Sequence, residues 1–121
     1  MCTEYITPAV QGTLSVFNST SKNGSSVKRV VLTSSVVTNL ENLGDPKPRV
    51  FDQSNWNNAA IEQVKQQGAA AGPFVMYMAS KTLAEQAAWN FIATHEGELP
   101  WDLVVLKLSY IFGVRPSQRW E

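Results

Sequence analysis

The sequence is poor in the residues that most metal and nucleophile chemistry requires. Cys2 is the only cysteine and His95 the only histidine in 121 residues. A disulfide within the chain and a thiolate metal cage are therefore excluded. A Ser-His-Asp triad would have to rest on His95, which sits in the polar stretch His95-Glu-Gly-Glu-Leu-Pro100. An exposed histidine without employment is the expectation there. Charge of one sign is lacking too: ten Lys and Arg balance ten Asp and Glu, with no basic run. That removes the electrostatic footprint of a nucleic-acid partner or an anionic membrane surface. No apolar run approaches the roughly 20 residues of a membrane span, and Met-Cys-Thr-Glu-Tyr does not open a signal peptide. The expectation is a single domain over residues 1–121 in a reducing, cytoplasmic compartment.

What is present reads as alternating helix and strand. Pro8 to about Lys22 carries Val10, Leu14 and Phe17 at helical spacing, with Thr7 as N-cap and Pro8 at the first helical position. Asn23-Gly-Ser-Ser26 ends that helix as a turn. In Val27 to Val37 the centre, Val30-Val-Leu32, is a continuous apolar run, as expected of a strand buried on both faces. Asn42 to Pro48 is loop, Asn57 to Gln67 a short helix around Ile61 and Val64, and Gly68 to Pro73 loop again. A long helix follows from about Phe74 to Thr94, then a second buried strand centred on Leu103 to Leu106. Tyr110-Ile-Phe-Gly113 leaves that strand at its carboxyl end, and the last eight residues read as polar loop. Strand, crossover, helix and strand make a right-handed βαβ unit of an open parallel sheet. The roughly 40-residue excursion between strand and long helix exceeds a plain connection, and such insertions usually carry function.

Chemistry concentrates in Tyr77-Met-Ala-Ser-Lys81. Side chains four apart on a helix are neighbours, and a nearby ammonium favours a phenolate over a phenol. Lys81 would thus draw the Tyr77 pKa from about 10 towards working pH, where a tyrosine serves as general acid or base. Taken alone, the spacing is what any amphipathic helix shows by chance. The first strand, however, ends in Thr33-Ser-Ser35, and ligands of open α/β sheets bind beyond the carboxyl ends of the strands. A hydroxyl, a tyrosine and a lysine at one crevice suit the polarisation of a carbonyl and protonation of its oxygen as hydride arrives.

Pro8-Ala-Val-Gln-Gly-Thr13, Val27-Lys-Arg-Val-Val-Leu-Thr-Ser-Ser35, Trp56, Tyr77-Met-Ala-Ser-Lys-Thr-Leu-Ala-Glu-Gln-Ala-Ala-Trp89 and Tyr110-Ile-Phe-Gly113 stand in one order and spacing. Together they resemble the extended short-chain dehydrogenase/reductase family, nearest its dihydroflavonol reductases and fungal NADPH-dependent aldehyde and ketone reductases. The resemblance implies an α/β fold: part of a doubly wound, parallel-sheet Rossmann fold, ordered helix, strand, insertion, helix, strand. It implies a catalytic set of Ser35 on the carbonyl oxygen, Tyr77 as proton donor and Lys81 beside it on the nicotinamide ribose. Tyr77, Lys81, Leu108 and Ile111 are the implied cofactor contacts. NADP(H) is the implied cofactor, with NAD(H) as the alternative, and a small-molecule carbonyl compound the implied substrate. A homodimer or a complementary segment would be the protein partner.

The family's Gly-rich turn, whose helix N-terminus holds the pyrophosphate, has no counterpart in these residues. By the resemblance the N-terminal cofactor-binding half is missing, and the substrate lobe with it. Leu108 and Val114 stand where the family usually has prolines. The first strand would then lack a neighbour on one side, which exposes backbone groups and apolar faces. Two other readings therefore stand beside the reductase: a catalytically silent, truncated relative or interaction module, and a sugar-nucleotide epimerase or dehydratase, which shares the Tyr/Lys pair.

Overall fold

The computed structural model describes residues 4–41 and 44–113. Five main elements follow in order: α1 (Ile6–Asn23), β1 (Arg29–Ser35), α2 (Asn58–Gln67), α3 (Pro73–Thr94) and β2 (Asp102–Leu108). Short 3₁₀ turns occupy Val36–Thr38 and Gly68–Ala71. The two strands pair in parallel, with Val31 opposite Val104 and Ser35 opposite Leu108. The expected βαβ unit is therefore present, and within the described residues the sheet has these two strands only. The expectations for Cys2, Asn42, Val114 and the polar tail fall outside the described residues.

Helix α1 begins two residues earlier than its capping signals suggest. Tyr5 occupies the N-cap without a side-chain hydrogen bond, and Thr7 lies inside the helix. The reason is Ile6, buried against Ala60, Ile61, Val64, Met76 and Ala79. Its burial outweighs the cap that Thr7 would provide. Pro8 still falls in the first turn, where a missing N–H costs no intrahelical bond. At the other end Gly24 donates its N–H to the Thr20 carbonyl at 2.8 Å. A Cβ at Gly24 would lie 2.6 Å from that oxygen, so only glycine closes the helix this tightly.

A second apolar cluster joins α1, α3 and one face of the sheet. Phe17, Ala88, Phe91 and Trp101 are buried together, with Leu14, Val30, Leu32 and Leu103 packed around them. Phe17 meets Phe91 and Trp101 edge-on, each with ring centroids 5.6 Å apart, a favoured aromatic geometry. The opposite face is open. Val31 is 53% exposed, and Leu106 and Leu108 are exposed beside it. The expectation of strands buried on both faces is corrected here: no described element packs on the second face, so β1 alternates instead.

Within the insertion, residues 52–57 bond back to the turn that follows β1, and the Asn57 N–H donates to the Thr38 carbonyl at 2.7 Å. Asn39 donates to the Asp52 and Asn55 carbonyls at 2.8 and 2.6 Å. Asn57 caps α2 by accepting from the Ala60 N–H at 3.1 Å, while its amide donates to the Val37 carbonyl at 3.0 Å. Residues 68–73 are not the plain loop the Gly/Ala composition suggests. Gly68–Ala71 makes a 3₁₀ turn, and Pro73 is already the first residue of α3, the position proline suits best.

Helix α3 ends at His95, which is half-buried rather than exposed and unemployed. Its ring stacks on Phe91 at 4.2 Å, and Nδ1 lies 2.8 Å from the Phe91 carbonyl oxygen. The unsatisfied carbonyls of a helix C-terminus explain that placement.

Candidate active site

The carboxyl ends of β1 and β2 and the N-terminal turns of α3 enclose a cavity of about 310 Å³. Ser35 and Tyr77 both line it, the two hydroxyls singled out in the sequence. Ser35 reaches it as the last residue of β1, where the chain turns into the 3₁₀ segment. Its Oγ accepts from the Val37 N–H at 3.4 Å, which leaves the hydroxyl proton uncommitted to that bond. Tyr77 stands on the second turn of α3 and is 41% exposed towards the crevice. Val36, Val37, Leu40 and Phe74 make the remaining wall largely apolar. Few polar groups in an apolar pocket of this size is the usual composition of a small-molecule site.

Lys81 lies one turn beyond Tyr77 on α3. Its ammonium donates to the Thr33 carbonyl at 3.3 Å, two residues before Ser35. The lysine thus bridges the helix that carries the tyrosine and the strand that carries the serine. Leu108 sits directly opposite Ser35 in the strand register. Neither it nor Ile111, which is 76% exposed, lines the cavity; Ser109 and Tyr110 between them do. Phe74, Ser109 and Tyr110 were not distinguishable in the sequence as lining residues. The last two lie beyond the end of β2 at Leu108, where strand alternation no longer decides which side chains turn inward.

Glu85 is the residue sequence reasoning passed over. It is the one charged side chain fully buried among the described residues. Its Oε2 accepts from the Ser34 hydroxyl at 2.5 Å and from the Thr38 hydroxyl at 3.0 Å. Its Oε1 lies 2.9 Å from the Lys107 ammonium and accepts from the Trp89 indole N–H at 3.4 Å. Lys107 in turn sits over the Trp56 ring, 4.9 Å from its centroid, a cation–π geometry. A buried carboxylate persists only when its lone pairs are met in this way. The clue lay in the spacing Tyr77, Lys81, Glu85, which repeats the helical neighbour interval.

A groove of about 450 Å³ elsewhere, between α1 and α3, is lined by Ile6, Val10, Leu83 and Ala87 among others, with no charged side chain. Among the described residues no group of three His, Cys, Asp or Glu side chains could hold a metal ion, and no helix is long and apolar enough to cross a membrane.

No family model matches the chain. Individual relatives do. A ketoreductase of Aspergillus niger is 36% identical over 115 residues, covering 94% of this chain and 31% of that protein. An NADPH-dependent methylglyoxal reductase of Saccharomyces cerevisiae is 33% identical over 113 residues, covering 91% of this chain and 31% of the relative. The crystal structure of Gre2 from Candida albicans in complex with NADPH superposes with a TM-score of 0.77 at 29% identity, over 93% of this chain and 32% of that one. The chain spans about a third of the length of the curated relatives it matches. Its α/β architecture and parallel strands are the corresponding part of a Rossmann fold. The chain belongs to the extended, NAD-dependent epimerase-like branch of the short-chain dehydrogenase/reductase family.

Proposed function

We propose that this chain carries the carbonyl-reducing centre of an NADP(H)-dependent reductase of small aldehydes or ketones. The observation that carries the reading is the shared cavity of Ser35 and Tyr77, with Lys81 bridging their two elements. The NADPH-dependent relatives support NADP(H) over NAD(H).

The residues present fit the reacting end of such a cofactor. A cavity of about 310 Å³ with an apolar wall and hydroxyls at its rim suits a nicotinamide ring beside a small carbonyl compound. For the phosphates, β1 runs into the 3₁₀ turn Val36–Thr38 and not into a Gly-rich turn and helix, so the described residues offer no cradle of that kind. Tyr77 and Lys81 would hold the ribose, and Ser109 and Tyr110, which line the cavity at the strand exit, would stand beside the ring in place of the expected Leu108 and Ile111. The bound nicotinamide supplies hydride to the carbonyl carbon.

Ser35 donates a hydrogen bond to the carbonyl oxygen, where negative charge develops, and keeps its proton. Tyr77 donates to the same oxygen and gives up its proton as the alkoxide forms. Lys81, one turn along α3 from the phenol, ties that helix to β1 through the Thr33 carbonyl and so holds Tyr77 against the strand end that carries Ser35. The apolar wall of Val36, Leu40 and Phe74 limits water, which strengthens each of these interactions.

Titration of the purified chain with NADPH and with NADH, followed by quenching of its four tryptophans, tests the reading. Saturable binding, tighter for NADPH and weakened in a Tyr77→Phe/Lys81→Ala double variant, is the expected result. No saturation at millimolar cofactor would favour the catalytically silent reading for this chain alone. NAD(H) that stays bound through purification, with no net redox turnover, would favour the epimerase or dehydratase.

A further inference from the structure

We propose that Glu85 is a positioning residue for Ser35, and that it sets the distance between the serine hydroxyl and Tyr77. The proposal rests on the reductase reading above and extends it to a residue that touches neither substrate nor cofactor.

Glu85 and Tyr77 share α3, a continuous run of helix without Gly or Pro between them. Eight residues of α-helix fix their separation along the axis at about 12 Å. Ser35 has no such rigid link, because it is the junction between β1 and the 3₁₀ turn. Strand ends are where sheets fray, and β2 pairs with β1 only as far as Ser35. Something must register this junction against α3.

Glu85 does so from both sides. Its Oε2 takes the hydroxyl of Ser34, immediately before Ser35, and that of Thr38, three residues after. The Thr38 Oγ1 also lies 2.9 Å from the Ser35 carbonyl oxygen, so its single proton is shared between the carboxylate and the backbone of the serine itself. One carboxylate oxygen thereby straps the turn that presents Ser35. The other oxygen is anchored by Lys107 on β2, next in register after Thr33–Leu106 and opposite Ser34. Helix α3, the ends of both strands and, through Trp56, the insertion meet at this one side chain.

Structure alone does not require an acid there. A leucine of similar volume would fill the space, and well-packed apolar replacements of buried ion pairs are often neutral or stabilising. What an apolar side chain cannot do is hold two hydroxyls on opposite sides of a strand end. Small misplacements of a reacting group cost on the order of a hundredfold in rate, so a strap of this kind has a use that packing does not.

The test uses two perturbations, Glu85→Gln and the shape-preserving pair Ser34→Ala/Thr38→Val, each with and without Ser35→Ala. Backbone amide exchange is measured throughout, beside NADPH-dependent reduction of methylglyoxal. Exchange should rise at Val37 and Asn39, whose N–H groups bond Ser35 Oγ and the Val36 carbonyl, and stay unchanged in α1. The kcat should fall roughly tenfold to a hundredfold with KM changed less than about twofold, and this fall should vanish in the Ser35→Ala background. Equal losses with and without Ser35, or exchange that rises everywhere or nowhere, would overturn the proposal. If the unaltered chain shows no turnover, the reductase reading fails for this chain, and the exchange pattern alone decides whether Glu85 positions the strand end. Should Glu85→Gln not fold, the Ser34→Ala/Thr38→Val pair carries both readouts with the carboxylate and Lys107 left in place.

Discussion

The two faces of the same two strands are built to different ends. On one face Val30, Leu32 and Leu103 pack against Phe17, Ala88, Phe91 and Trp101, and Ser34 reaches Glu85. On the other, Val31, Leu106 and Leu108 stand exposed with no described element over them. Both faces have the apolar character of a doubly covered parallel sheet. The covered face shows what a helix pair can supply by itself: a core, a buried carboxylate and the crevice at the strand ends. The open face shows what that pair does not supply. Relatives about three times as long as the chain have material with which to cover such a face.

The largest test of this contrast lies in the core. Phe17→Ala should destabilise the chain by about 3–5 kcal/mol, a large part of a domain's usual stability of roughly 5–15 kcal/mol. Val31→Ala, on the opposite face, should shift stability by no more than about 0.5 kcal/mol. Urea unfolding followed by circular dichroism compares the two. A cost for Val31→Ala close to that of Phe17→Ala would mean that the open face is covered in solution.

Lys107→Met comes next. It removes the cation from Glu85 and leaves the carboxylate with hydroxyl and indole donors only. The expected loss is about 1–3 kcal/mol, below that of a buried charge left with no partner, because these donors still meet the carboxylate although the Lys107 ammonium is itself buried. The same urea midpoints report it. A gain in stability would show that desolvation of the pair outweighs its attraction. Leu106→Lys then sharpens the contrast from the other side: stability within about 0.5 kcal/mol of the unaltered chain, and less self-association in sedimentation velocity, since a charge on an exposed apolar strand opposes pairing.

The contrast also explains how far the sequence could be read. Val30-Val-Leu32 and the Leu103 to Leu106 run specified two parallel strands, and the helical spacing of Val10, Leu14 and Phe17 specified α1. These are local patterns, and burial followed them on the helix-covered face. The same runs were misleading about the other face, because a continuous apolar run reports what the strand is built to meet and not whether it is met. The start of α1 lies two residues before the one its cap signals suggest, because Ile6 is drawn into a tertiary cluster that no cap signal records. In the site, Tyr77 and Lys81 were legible from one helix, and Ser35 from a strand end. Glu85 was not: its partners Ser34, Thr38 and Lys107 come from two other segments, and only the fold brings them together.

The smallest expected effect belongs to the amino ends of the strands. Arg29 clasps Asp102 with two hydrogen bonds, Nε to Oδ1 at 2.7 Å and an Nη to Oδ2 at 2.6 Å, across the first register pair. Those hydrogen bonds, and then the guanidinium charge, hold the Asp102 carboxyl below the usual carboxylate range. Folding therefore favours the ionised acid. Its contribution is whole above the unfolded carboxylate value near about 3.9 and is lost as pH falls below it, through the lower folded value. Asp45 and Asp52 are held low as well, each first by hydrogen bonds within the insertion, so acid sensitivity of the whole chain does not isolate the clasp. Comparison with Asp102→Asn does. The two urea midpoints should differ slightly at neutral pH and low salt, converge at high salt, and converge again in acid once pH has fallen through the lowered folded value. A difference that persists in acid would mean that Asp102 acts through packing or backbone geometry and not through its charge. No difference at neutral pH would mean that solvent already screens the pair, as it does many exposed ion pairs. In that case the strand register rests on the covered face alone.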